Sequence, residues 1–407
     1  MKLLDDIIKK TVPDTSIMKE ISFALEKINK SISKNKIKAK AVAGGSVAKG
    51  TFLNDDYDVD IFVKFDYSYK DEDISILLGK VLKEFKTVKV HGSRDYYQIK
   101  NKLKYEIVPV LDIDDPKKAV NVTDMSPLHV DWVKKYSKFT DEIRLSKMFC
   151  KAQGCYGAES YIRGFSGHVL DILTIYYKGF LNMLKASQRW KEFSVVDFNN
   201  HYKGKAFDEI NKSKISSLIV IDPILPGRNA AAALSKEKFD AFRKAAKDFL
   251  KNPSEEFFVR KEFSVDSLVK KARKNMIILI EATPLKGKKD IIGSKLMKAF
   301  EHIRNQLTAN EFKLIDSGWK WDKKAILYFI TDPEPLSDVM EREGPPLSNK
   351  DRVKSFKDKH KRTFTRNRRI FAKVERPYTD AKSLIDSLLK DDYIKDRVMS
   401  IELVQLN

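Results

Sequence analysis

The 407-residue chain carries 78 Lys and Arg against 57 Asp and Glu, a formal charge of +21 that predicts a polyanionic partner, either nucleic acid or an anionic membrane surface. Its length predicts two to four domains, and 42% hydrophobic residues are enough to build their cores, which excludes wholesale disorder. Two cysteines, Cys150 and Cys155, exclude a disulfide scaffold and a thiolate zinc site, and are expected as buried free thiols. The opening MKLLDDIIKK intersperses charges among its apolar positions, unlike a secretory leader, and no apolar run reaches the roughly 18 residues a membrane span needs. A soluble, cytoplasmic protein is expected.

In chain order, residues 1–35 read as helix, with Leu3, Leu4, Ile7 and Ile8, then Ile17, Ile21, Leu25 and Ile28, near the 3.6-residue period. Ala39–Ala43 leads into Gly44-Gly45, expected to break regular structure. Segments 57–65, 87–90, 95–99 and 103–111 alternate apolar with polar residues, as half-buried strands do. From Glu142 to about residue 195 the pattern is helical. A loop with Asp222-Pro223 and Pro226-Gly227 precedes a helix over 236–251, and Asn252-Pro253-Ser254 marks a boundary. Strand 276–282, helix 290–306 and strand 325–330 follow, then a basic segment, 339–380, interrupted by Gly344-Pro345-Pro346. Three domains are expected, 1–138, 139–253 and 254–407.

The most informative passage is Gly44-Gly45-Ser46-Val47-Ala48-Lys49-Gly50-Thr51 followed by Asp58-Val59-Asp60. On a strand, positions i and i+2 share a face, so Asp58 and Asp60 project together while Val59 and Ile61 turn to the core. Adjacent carboxylates repel unless a cation lies between them, and hard oxygen ligands suit Mg²⁺. The glycine turn is expected to offer free backbone N–H groups, the Ser46 hydroxyl and the Lys49 ammonium to a phosphate chain. Acids beside phosphate donors point to phosphoryl or nucleotidyl transfer by two-metal chemistry.

GGSVAKGT followed by DVD resembles the polymerase-beta-type nucleotidyltransferases. That resemblance implies a third acid on a neighbouring strand, within Lys102–Leu111. Glu106 stands where relatives usually carry Asp, and Asp112, of the same parity, is a rival. Further blocks, Ser126-Pro127-Leu128-His129, Gly154-Cys155-Tyr156-Gly157-Ala158-Glu159, Arg163-Gly164-Phe165-Ser166-Gly167, Ile221-Asp222-Pro223, Arg228-Asn229-Ala230 and Glu343-Gly344-Pro345-Pro346, are similar to the archaeal (class I) CCA-adding enzymes. The resemblance implies an α+β fold: a polymerase-beta-like head of mixed sheet and helices, a helical central neck that recognises the base, and an α/β C-terminal body with a basic tail. It implies CMP, CMP and AMP addition from CTP and ATP to the 3′ end of tRNA. Asp58, Asp60 and Glu106 would be the catalytic acids and hold Mg²⁺. Ser46 and Lys49 would bind the β- and γ-phosphates, with Lys49 standing where relatives often have Arg. His129, Lys147 and Tyr156 would also contact the triphosphate, Arg228 would read the base, and a homodimer is implied. The RGFSG block itself reads as a tight turn with a buried Phe ahead of a helix.

Between Asp351 and Arg376, eleven Lys or Arg alternate with Phe356, Phe364 and Phe371, a pattern that suits a folded basic face gripping RNA phosphates. Arg366, Arg368 and Arg369 are its candidate tRNA contacts. The rival functions are a poly(A) or oligoadenylate synthetase and a catalytically inactive RNA-binding relative.

Overall fold

The N-terminal helical pattern forms two helices, α1 (Lys2–Thr11) and α2 (Ser16–Lys34), in the computed structural model, which describes residues 2–12, 16–54, 58–100, 103–260 and 263–405. The interval between them contains Pro13, whose missing N–H and ring disfavour one unbroken helix. β1 (Ala39–Ala43) runs directly into a short helix, α3 (Gly45–Lys49), where the sequence predicts only a break. β2 (Val59–Phe65), α4 (Ile74–Val81), β3 (Val88–Val90), β4 (Tyr96–Lys100) and β5 (Lys104–Leu111) follow. Asp58 immediately precedes β2. Of the expected strand limits, Tyr57 and Lys102 lie outside the described residues.

These strands form one mixed sheet in the order β1-β2-β5-β4-β3, with β2 and β5 parallel and the other pairs antiparallel. Alternation decides its two faces. Val59, Ile61 and Val63 of β2, with Tyr105 and Ile107 of β5, bury against Ile21 and Ile28 of α2 and Leu78 of α4. The opposite face carries Asp60, Phe62, Glu106, Val108 and Val110. Its apolar half is covered by Ala48 of α3 and by Val130 of α5 (Ser126–Lys134), which leaves the two acids beside α3. Asp124 ties this face together: its buried carboxylate accepts from the N–H groups of Leu111, Val120 and Asn121 and pairs with Arg94.

The following region is built on α6 (Thr140–Ala152), α7 (Gly167–Tyr176), α8 (Phe180–Ser187), a short α9 (Ala206–Glu209) and α10 (Lys236–Lys251). Phe149, Phe165, Phe180, Phe242 and Phe249 are fully or almost fully buried at its centre. The same core takes Ile7 of α1, and Lys10 pairs with Glu255. Thus α1, expected with residues 1–138, packs into the core of the residues that follow them. A two-stranded parallel sheet, β6 (Ser194–Asp197) with β7 (Leu218–Ile221), begins where the expected helical run ends and lies in a stretch for which no strand is expected. In the RGFSG turn Phe165 is buried and Ser166 caps α7 by accepting from the Val169 N–H at 3.2 Å. Gly164 is obligatory there, since a β-carbon would lie 2.1 Å from the Cys155 carbonyl oxygen. Cys150 and Cys155 are free and fully buried, as expected, and burial pushes both thiols up.

All of these elements belong to one compact unit, Met1–Lys261; Glu262–Asn407 form a second. The second begins with α11 (Val265–Ala272), β8 (Met276–Pro284), α12 (Lys289–Ala309), β9 (Leu314–Trp321) and β10 (Ala325–Thr331). β11 (Val339–Pro346), α13 (Lys350–Lys359), β12 (Thr363–Arg366), β13 (Arg369–Glu375), α14 (Ala381–Leu388), α15 (Asp392–Lys395) and β14 (Val398–Val404) complete it. One antiparallel sheet, β14-β8-β10-β9, packs Ile280 and Phe329 against Leu296, Phe300 and Ile303 of α12 and Ile385 of α14. The other, β11-β13-β12, holds the basic segment. Gly344-Pro345-Pro346 does not interrupt that segment as expected: it ends β11, with a register shift between Glu343 and Pro346. Prolines are tolerated there because β11 is an edge strand. The β12–β13 hairpin turns through Asn367 and Arg368, both at positive φ (50° and 61°), the geometry of a two-residue type I′ turn.

Candidate active site

Asp60 and Glu106 sit directly opposite each other on the parallel pair β2/β5, so both project from one face. Asp58 completes the group from just ahead of β2. The Lys104 ammonium lies 2.7 Å from Asp58 Oδ2 and 3.0 Å from Glu106 Oε1, and Gln98 Nε2 donates to Glu106 Oε1 at 2.9 Å. Burial, then the negative charges of Glu106 and Asp58, raise the Asp60 carboxyl to about 7. Three oxygen donors, one of them unwilling to ionise without a counter-charge and two already bridged by an ammonium, fit a divalent cation.

Gly45 decides how close the α3 turn can come. Its φ is +52°, and a β-carbon would stand 1.7 Å from Asp60 Oδ2. The Gly44 N–H, expected to be free for phosphate, instead donates to the Asp60 carbonyl oxygen at 2.8 Å, locking the turn onto β2. Asp112, the rival third acid, does not converge on the group. It lies six residues beyond Glu106, about 20 Å along a strand at about 3.3 Å per residue, and pairs with Lys64 at 2.7 Å.

Beside the acids is a cluster of cations. Lys49, near enough to Asp60 to pull its carboxyl down, donates to Asp171 Oδ2 at 2.8 Å. Lys147, on α6, donates to Thr51 Oγ1 at 2.8 Å and lies 3.5 Å from Asp171 Oδ1. Burial is the largest effect on Lys147 and holds its ammonium below the usual range, against the opposing pull of Asp171. Tyr156 closes on the same place: a β-carbon at Gly167 would meet its hydroxyl at 2.9 Å and Lys147 Nζ at 3.8 Å. Burial pushes the Tyr156 phenol up, so it is a neutral O–H donor.

A second carboxylate, Asp222, organises the remaining candidates. His129 Nε2 is 2.9 Å from both of its oxygens, and Arg228 Nη1 donates to Oδ2 at 3.2 Å. The Ile224 and Leu225 N–H groups donate to Oδ1 at 3.0 and 3.2 Å. Burial would raise this carboxyl, but the His129 hydrogen bond and charge outweigh it and hold the group low. His168 lies between the two buried acids, with Nδ1 3.8 Å from Asp171 and Nε2 3.8 Å from Asp222. Burial lowers its imidazole to about 4, so the ring is neutral near pH 7. His129, His168 and Asp222 bring their ligand atoms within 4.8 Å of one another, close enough to share a divalent ion as well.

Sequence reading placed Asp58, Asp60, Glu106, Lys49, Lys147, Tyr156, His129 and Arg228, but missed Asp171 and His168 and left Asp222 without a role. Asp171 had a legible sign: it is the one acid in the largely apolar stretch Val169–Tyr176 of α7, and an acid in such a run is buried and paired. Ser46 lies on α3 next to Gly45, the residue whose backbone approaches Asp60.

A mixed sheet that presents paired acids beside a cluster of cations defines a nucleotidyltransferase. In agreement, residues 25–129 match the family model for a nucleotidyltransferase domain, and residues 141–259 that for the second domain of tRNA nucleotidyltransferase. Residues 271–394 match the C-terminal domain of CCA-adding enzyme. Two RNA terminal uridylyltransferase structures, one of Cid1 and one of a cytoplasmic RNA terminal U-transferase, share the fold at 14% identity. Their TM-scores are 0.53 and 0.52; they cover 65% and 64% of this chain and 98% of their own. Curated CCA-adding enzymes of Nanoarchaeum equitans and Methanocaldococcus jannaschii are 37% and 32% identical, over 79% and 85% of this chain and 80% and 79% of theirs. The chain belongs to the CCA-adding enzymes.

Proposed function

We propose that this enzyme rebuilds the 3′ end of tRNA without a template, transferring CMP, CMP and then AMP from CTP and ATP and releasing pyrophosphate. The in-register pair Asp60 and Glu106 beside the Lys49 and Lys147 ammonium groups is the observation that carries the reading. Asp58, Asp60 and Glu106 would hold Mg²⁺, which when bound acidifies the primer hydroxyl and neutralises the departing pyrophosphate. Ser46, Lys49, Lys147, Tyr156 and His129 bind the triphosphate, and Asp222 orients His129 by holding its Nε2. Arg228, half exposed and steadied by Asp222, reads the edge of the base. Residues 1–138 act as the catalytic head, 139–253 as the base-recognising neck and 254–407 as the tRNA-binding body and tail. The enzyme works as a cytoplasmic homodimer, a state that light scattering would check. No helix among the described residues is long and apolar enough to cross a membrane.

Radiolabelled CTP and ATP should add two C residues and one A to a tRNA lacking its CCA end. Open-ended A tails would favour a poly(A)-type enzyme instead. Arg228→Ala should raise KM for CTP and ATP by about 10-fold or more, the loss of a charged hydrogen bond, while tRNA binding changes little. Unaltered nucleotide kinetics would remove Arg228 from base reading.

In the basic hairpin, Arg366 pairs with Glu341 at 2.8 Å and Arg369 with Glu343 at 2.7 Å, while Arg368 sits on the turn. Phe364 and Phe371 stack 5.6 Å apart beneath Arg366. Neutralising the three arginines together should weaken tRNA binding and flatten its log–log salt slope by about one to two units. A slope that stays the same would make the hairpin a bystander.

A further inference from the structure

Asp171 is the most confined charge beside the acids. It lies on α7 with none of its surface exposed, and it touches two cations from different elements, Lys49 of α3 at 2.8 Å and Lys147 of α6 at 3.5 Å. We propose that Asp171 is a positioning residue for nucleotide binding: by gripping both lysines it presents their ammonium groups to the incoming triphosphate as a single clamp. The proposal rests on the reading of Lys49 and Lys147 as triphosphate ligands.

Three features carry it. First, Lys147 is itself almost fully buried, and an ammonium taken out of water with no partner gives up its proton. Asp171 is the one negative charge among the groups that most affect it; Lys49 and Lys151 both push the other way. Second, two ammonium groups against one carboxylate leave the group cationic, so the clamp is balanced enough to be buried and still attracts a polyanion. Third, the remaining neighbours of Asp171 cannot replace this function. His168, on its own helix, is 3.8 Å away and neutral near pH 7, and Tyr156 is a neutral phenol there. Asp171 Oδ1 makes no hydrogen bond, so it meets Lys147 as an ion pair at 3.5 Å, with no other donor holding that oxygen. Asp171 does not touch substrate; it acts through the lysines.

The opposite effect is physically conceivable, because a carboxylate also competes with phosphate for the same ammonium groups. Burial decides between the two. A competing carboxylate prevails where the ammonium groups are held charged by water, whereas Lys147 is almost fully buried and Asp171 is the carboxylate that faces it, at 3.5 Å.

The test measures KM and kcat for CTP in single-CMP addition to tRNA lacking its CCA end, between about pH 7 and pH 9, a range below the ordinary Lys value of about 10.4. Asp171→Asn should raise KM by about 10- to 100-fold with kcat nearly unchanged, the effect of losing a charge-assisted hydrogen bond to Lys49 and an ion pair with Lys147. Its KM should also climb with pH, by at most about tenfold per unit, as Lys147 loses its proton. Wild-type KM should climb far less. Asp171→Glu, which keeps the charge on a longer arm, should restore the flat pH profile with a KM between the two. It carries the same test should the amide variant fail to fold. Lys147→Ala is the reference. If it leaves KM unchanged, the triphosphate reading falls and the inference with it. If it raises KM while Asp171→Asn leaves KM and its pH profile at wild-type values, only the inference falls. A KM lowered by Asp171→Asn would show competition instead of presentation and overturn the proposal.

Discussion

Replacing Asp58 and Asp60 together with Ala is expected to lower nucleotide addition by about 10³-fold or more, while tRNA affinity stays close to wild type. The reason is that the three acids form one group: Asp60 faces Glu106 across the β2/β5 pair, and Lys104 already spans Asp58 and Glu106. Stability should not fall with activity. The double variant removes two acids that repel Glu106, one of them strained enough for its carboxyl to rise to about 7. A melting temperature at or above wild type with activity lost is therefore the pattern that marks a functional site and not a structural one. Rapid addition by the double variant would leave the rest of the surface as an RNA-binding protein whose chemistry lies elsewhere.

Gly45→Ala should be almost as damaging although it adds one methyl group and no charge. At φ +52° the alanine backbone is strained by about 1–2 kcal/mol. That strain is a minor loss for a domain with this much core. The larger effect is steric. The β-carbon would stand 1.7 Å from Asp60 Oδ2 and 2.7 Å from Cγ, so the carboxylate must leave its place opposite Glu106. A displacement of about 1 Å can reduce turnover by about 10²-fold. The expected result is a kcat loss of that order with a nearly normal melting temperature. A kcat within about threefold of wild type would mean that Asp60 does not need this position.

How much of this was legible varied with the kind of signal. α10 keeps the expected limits, 236–251, because its apolar positions hold helical spacing; the structure adds that Ser235 caps it by accepting from the Lys238 N–H. Asp60 of β2 was legible because strand alternation predicts that it faces away from Val59 and Ile61, and it does, whereas Asp58, expected on the same strand, lies just ahead of it. β6 and β7 were not legible: each is four residues long, they pair in parallel across a polar stretch, and periodicity over four residues identifies nothing. The third acid needed register. Parity alone left Asp112 level with Glu106, and only the pairing of β2 with β5 shows which one lies opposite Asp60. The Gly44 amide illustrates a different limit, since a sequence cannot say which N–H groups of a turn are already bonded.

The packing of α1 into the core of the second region has a consequence for synthesis. Ile7 leaves the ribosome well ahead of Phe249 and Phe258, which share its core, and Lys10 meets Glu255 across a separation of 245 residues. At about 5–20 residues per second, roughly 12–50 s pass before those partners exist. During that interval α1 can pack on α6, which precedes those partners, but its apolar face is only partly covered, while the five-stranded sheet can already fold. Docking of α1 therefore completes late, through contacts of high sequence separation, and part of its apolar face stays exposed until those partners are made.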